Sequence, residues 1–147
     1  MKKFAFINIP SQELERPPAA AALLSSVVRS AGWDCKVFDF NFFLNKNVTT
    51  QTWNILESFW RCKTLKLPKN IKQELENTFE KFYEQLKEYN PDWLGLSVFS
   101  RFSTIPCYEF LKYFRIGTSA KLSIVSPTKA LINKPLAVAS SMPRAFR

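Results

Sequence analysis

Histidine is missing from this sequence altogether. That removes the usual general base, the commonest metal ligand and every Ser-His or Cys-His arrangement. Glycine is nearly as scarce. Gly32, Gly95 and Gly117 are the only three, so neither a G-x-G-x-x-G turn nor a Walker A loop exists, which argues against NAD-dependent dehydrogenases and P-loop NTPases. Cys35, Cys62 and Cys107 are odd in number and far apart, a pattern of buried, reduced thiols and not of a disulfide framework or a metal site. No apolar run approaches the ~18 residues that span a bilayer. The basic start is followed by a short apolar stretch and then by Glu13, Glu15 and Arg16, as in a first strand and unlike a signal peptide. These absences point to a cytoplasmic protein with no membrane partner and no catalytic constellation of its own.

Acidic residues also run out. None follows Glu109, whereas Lys121, Lys129, Lys134, Arg144 and Arg147 do. Those five cations carry five of the nine net positive charges, leaving +4 in residues 1–120. The basicity therefore belongs largely to the tail, and this distribution argues against a nucleic-acid partner.

What is present reads as one α/β domain. A chain of 147 residues has room for a single domain that buries roughly 70% of its unfolded surface. Lys3 to Ile9 forms an apolar strand. Pro17 and Pro18 open a helix, where a missing N–H costs nothing, and Ala20, Leu23, Leu24, Val27, Val28 and Ala31 recur at helical spacing before Gly32 stops it. Asp34 to Phe40 is the second strand, and the resulting βαβ unit predicts parallel pairing. Residues 41–69 are the least regular, with a short helix near 50–61 carrying Trp53, Leu56 and Trp60 on one face. Asn70 is expected to cap the next helix, with Gln73 reaching back, and Ile71, Leu75, Phe79, Phe82 and Leu86 to line its buried face. Trp93 to Phe99 is a third strand, buried on both sides. Ser100 to Ser103 turns into a helix with Pro106 in its first turn, and Lys121 to Val125 is a plausible fourth strand. After residue 126 no period persists, Leu136 to Ala139 being at most a marginal strand.

The prediction is a Rossmann/flavodoxin-like open parallel sheet with flanking helices over residues 1–126. It carries a helical insertion at about 41–89, has an incomplete sheet, and is followed by a weakly specified basic tail, 127–147. The binding crevice of such a sheet lies beyond the carboxyl ends of its strands. Three segments meet there. They are Pro10 to Arg16, Asp39 to Asn41, and Ser97 to Ser103, each mixing small polar groups with apolar or aromatic ones, as suits an extended organic ligand. Ordinary strand-to-helix loops are the equally plain alternative.

The series Ile7-Asn8-Ile9-Pro10, then Arg16-Pro17-Pro18 through Ala31-Gly32 to Val37-Phe38-Asp39, and later Asn90-Pro91-Asp92-Trp93-Leu94-Gly95-Leu96-Ser97, resembles the amino-terminal cobalamin-binding domain of radical SAM enzymes. The resemblance covers about residues 3–125, interrupted by 41–89. It implies a corrin facing Pro10, Ser11, Arg16 and Pro17 after the first strand, Asp39, Phe40 and Asn41 after the second, and Ser97, Phe99, Ser100, Arg101 and Ser103 after the third. It also implies a radical SAM barrel, with an iron–sulfur cluster and S-adenosylmethionine, in a full-length relative. The sequence departs from that pattern where Ser126-Pro127-Thr128 replaces a Gly-Gly turn, and it lacks the Asp-x-His-x-x-Gly motif of other cobalamin proteins. The three cysteines are not spaced to hold a cluster. A truncated or frame-shifted product, or a divergent stand-alone domain, fits the loss of pattern near the end. The rival functions are a ligand-free interaction module of the same fold, using Trp53, Phe59 and Trp60, and, with less support, a basic nucleic-acid binder.

Overall fold

The computed structural model describes residues 1–10, 14–15, 18–62, 66–98, 101–114 and 121–125. The tail 127–147, with the marginal strand at Leu136 to Ala139, lies outside these. In chain order the elements are β1 (Lys3–Asn8), α1 (Ala19–Ser30), β2 (Asp34–Asp39), α2 (Phe40–Asn47), α3 (Thr50–Arg61), α4 (Lys69–Tyr89), β3 (Trp93–Ser97), a 3-10 turn (Arg101–Ser103), α5 (Thr104–Phe114) and β4 (Lys121–Val125).

The four strands are parallel and lie in the order β2-β1-β3-β4. That order is the first four strands of the flavodoxin-like arrangement, in which ligands sit where the winding reverses, between the first and third strands. The reversal is visible in the packing. The chain goes from β1 to β2 through α1 on one face. It returns from β2 past β1 to β3 through α2, α3 and α4 on the other, as right-handed crossovers in opposite directions require.

Each face has its own apolar cluster. Phe4, Phe6, Cys35 and Trp93 point towards α1 and meet Val28. Ala5, Ile7, Phe38, Leu94 and Leu96 point the other way, into a larger core with Phe40, Leu44, Trp53, Leu56, Trp60, Phe79, Phe82 and Phe110. The alternation follows from the period of two along a strand. Burial of β3 on both faces agrees with its unbroken apolar sequence.

Gly95 is needed on the α1 face. A Cβ there would lie 2.7 Å from Cε1 of Phe4 and 2.9 Å from Cε1 of Phe6. Its absence lets these two rings of β1 lie over β3 with their centroids 4.6 Å apart.

Several local expectations change. Residues 40–61 are more regular than the sequence suggested, forming α2 and α3 in succession. Asp39 starts α2 by accepting the Phe42 N–H at 3.0 Å, and Thr49 starts α3 by accepting the Thr52 N–H. Asn70 does not cap α4, which begins one residue earlier at Lys69 after Pro68, and Gln73 instead donates to Asn77. A Pro-led start leaves Asn70 already inside the helix. Of the expected α1 stripe, Val28 is buried and Leu24 packs beside it, whereas Ala20, Leu23, Val27 and Ala31 are exposed and Ala21 and Ser25 turn inwards. Leu23 is 68% exposed. Small residues win this face because α1 packs closely against the large Phe4 and Phe6 rings.

Trp53 and Trp60, which the rival interaction-module reading used as a partner-binding surface, are core. Both are buried and meet edge to face at 5.9 Å, and Phe59 packs against the same cluster. Cys35 and Cys107 are buried as expected, but Cys62 is exposed because it follows the last turn of α3.

A tertiary bond holds the helical layer together. One Glu74 carboxylate oxygen, from α4, accepts the Thr49 N–H at 2.7 Å and the other accepts the buried Thr52 hydroxyl. The first turn of α3 is thereby pinned to α4. None of the described helices is long and apolar enough to cross a membrane.

Candidate functional site

The carboxyl ends of the strands carry a row of polar side chains. Asn8 is in register with Asp39 of β2 on one side and with Ser97 of β3 on the other. In-register residues of parallel strands share a face, and Asn8 alternates with Phe4 and Phe6, so the row faces α1. It lies across the β1/β3 switch point, at the end of the sheet where α1 begins.

The row is held tightly. Asn8 is 1% exposed and Ser97 5% exposed. The Asn8 Nδ2 donates to Asp39 Oδ1 at 3.0 Å, and the same oxygen accepts the Phe42 N–H at 3.0 Å. Asp39 therefore ties the end of β1 to the start of α2. The Ile9 N–H donates to the Ser97 carbonyl at 3.3 Å, extending the β1–β3 ladder one residue past Asn8.

The other side of the Asn8 amide is different. Among the described residues its Oδ1 has no hydrogen-bond partner, although it is fully buried. Native structures leave few buried acceptors in that state. Above the row, α1 starts at Pro18–Ala19 with neither a side-chain cap among the described residues nor an acidic residue in its first turn. Its first N–H groups are donors without intrahelical partners.

Of the residues predicted for this site, the structure brings Asp39 and Ser97 together around Asn8. Pro10 follows Asn8 by two residues and is buried. Asn41 and Ser103 are also buried, in α2 and at the end of the 3-10 turn after β3. Arg101 opens that turn. Ser11, Arg16, Pro17, Phe99 and Ser100 lie outside the described residues. Phe40 does not join them. It is the hub of the aromatic core, with ring centroids 4.8 Å from Phe79, 4.6 Å from Phe82 and 5.2 Å from Phe110. Asn8 was missed as a site residue because it ends an apolar strand. The available signal was an amide in a run that is otherwise buried and apolar.

Among the described residues no group of three His, Cys, Asp or Glu side chains is placed to hold a metal. Burial pushes the Cys107 thiol up to about 12 and raises that of Cys35, so both are held as neutral thiols at pH 7. A neutral thiol is a poor nucleophile. Among the described residues the row offers a buried acceptor, a carboxylate and a hydroxyl, and the start of α1 carries N–H groups that no side chain caps.

Compared with protein families, curated proteins and solved structures, the chain matches none of them.

Proposed function

We propose that this domain binds cobalamin, as the amino-terminal part of a radical SAM-type protein, and catalyses no reaction alone. The observation that carries this reading is the polar row Asp39–Asn8–Ser97 lying across the β1/β3 switch point of a sheet in flavodoxin order. Open α/β sheets receive extended organic ligands at that place.

The residues present fit the group. A corrin is rimmed with carboxamides, each both a donor and an acceptor. Among the described residues Asn8 Oδ1 is a buried acceptor that lacks a donor, and the start of α1 supplies N–H groups that no side chain caps. Asn8, Asp39 and Ser97, with the first turn of α1, would hold the rim. Asp39 orients the Asn8 amide, and the apolar rows beneath keep water from the sheet. When bound, cobalamin supplies a cobalt centre for methyl transfer or radical chemistry, and in the family that chemistry requires a barrel holding an iron–sulfur cluster and S-adenosylmethionine.

Incubation with hydroxocobalamin followed by gel filtration tests the reading. The protein peak should carry corrin absorption bands in stoichiometric amount. A colourless peak at micromolar protein and ligand overturns it. One observation favours a second reading, an interaction module of the same fold. The outer face of α1 exposes Leu23 and Val27, and such a module would stay colourless and change size only with its partner.

A further inference from the structure

We infer that Asn8 is a ligand-binding residue whose side-chain carbonyl accepts a hydrogen bond from a neutral N–H or O–H group of the molecule bound at the β1/β3 crevice. This deepens the reading above and rests on it for the place of binding.

The direction of the bond follows from the chemistry around the amide. An Asn side chain has one donating and one accepting end, and neighbours decide which is which. Asp39 Oδ1 lies 3.0 Å from one end of the Asn8 amide and simultaneously accepts the Phe42 N–H. A carboxylate only accepts, so the Asn8 NH2 must face it. Turning the amide over would set two acceptors against each other. Oδ1 is therefore fixed as the other end, and it is buried with no donor among the described residues.

An unpaired buried acceptor destabilises a fold. Its location is where a doubly wound sheet receives its ligand. A donor from the ligand relieves it. Phosphate and carboxylate oxygens offer only lone pairs and would meet both Asn8 Oδ1 and the Asp39 carboxylate with repulsion. Carboxamide N–H and hydroxyl groups do not. For a corrin the group is a rim carboxamide, whose own carbonyl is suited to the N–H groups at the start of α1.

The experiment titrates cyanocobalamin, and its mono-acid derivatives in which a single rim carboxamide is replaced by carboxylate, against the intact wild-type chain and Asn8→Leu. The expected results are two. One mono-acid should bind wild type at least about tenfold more weakly than cyanocobalamin. Asn8→Leu should bind cyanocobalamin about tenfold more weakly and lose that discrimination.

Equal cyanocobalamin binding by wild type and Asn8→Leu, or equal binding of every mono-acid by wild type, overturns the inference while leaving cobalamin binding intact. If wild type binds no corrin, the proposed function fails and the inference falls with it. If Asn8→Leu does not fold, the comparison of mono-acids on wild type decides alone.

Discussion

Replacing Gly95 by alanine probes the packing that presents the site. The new methyl would lie 2.7 Å and 2.9 Å from Cε1 and Cζ of Phe4 and 2.9 Å from Cε1 of Phe6. None of these distances is sustainable, so a ring or a strand must move. Phe6 is fully buried and has little freedom. Phe4 is slightly exposed but is boxed in by Phe6 at 4.6 Å and Trp33 at 6.4 Å. Overpacking of this kind costs about 1–3 kcal/mol. Loss of glycine's freedom in the unfolded chain offsets about 0.4–1 kcal/mol of that. The net expectation is destabilisation by about 1–2 kcal/mol, a fall in the midpoint of about 2–8 °C for a chain of this size. Chemical denaturation monitored by tryptophan fluorescence reads it, since Trp33 and Trp93 adjoin the rings. Phe4→Leu in the same chain should recover part of the loss, because contacting residues couple. Phe6 precedes Asn8 on the same face, so ligand binding should weaken as well. If Gly95→Ala were neutral or stabilising, or if Phe4→Leu gave no recovery, the packing argument would be wrong.

Four further expectations follow. Glu74→Ala should lower the denaturation midpoint by the equivalent of about 1–3 kcal/mol, because the buried Thr52 hydroxyl and the Thr49 N–H lose their acceptor; an unchanged midpoint would show that α3 does not depend on α4 for its start. Burial raises the Cys107 thiol from 9.0 to about 12, so the folded state binds its proton more tightly than the unfolded one. That stability is fully present below 9.0 and is lost as pH rises towards about 12, at up to about 1.4 kcal/mol per pH unit. Denaturation at pH 8 and pH 10.5 on wild type and Cys107→Ala checks it, and equal pH dependence in the two would refute it. Thiol labelling of native protein at neutral pH should modify the exposed Cys62 ahead of Cys35 and Cys107; rapid labelling of Cys107 would contradict the burial of α5. Bound cobalamin reduced to the cobalt(II) state should show no superhyperfine splitting from protein nitrogen in 15N-labelled material, since the chain contains no histidine, and such splitting would place an unforeseen ligand on the metal.

The sequence by itself determined the class of fold. Strongly apolar segments at Lys3 to Ile9 and Trp93 to Val98, and a helix between two strands, leave little choice but parallel pairing with crossovers on the faces. The buried side of α4 was equally legible, because Ile71, Leu75, Phe79, Phe82 and Leu86 repeat at helical spacing and all five are buried. The absence of histidine and of glycine-rich phosphate loops limited the chemistry before any coordinates. Tertiary structure decided what local pattern leaves degenerate. Trp53 and Trp60 sit on an amphipathic face that suits a partner or a core equally, and α4 and α5 made it core. Leu23 and Val27 carried the larger apolar surface, yet α1 turned Ala21 and Ser25 inwards, because the bulky rings of Phe4 and Phe6 already fill the space beneath it. Asn8 became a candidate binding residue only through register. Asp39 and Ser97 are distant in sequence, and parallel pairing set one on each side of it, so that a carboxylate fixes the amide and leaves its carbonyl buried without a donor among the described residues.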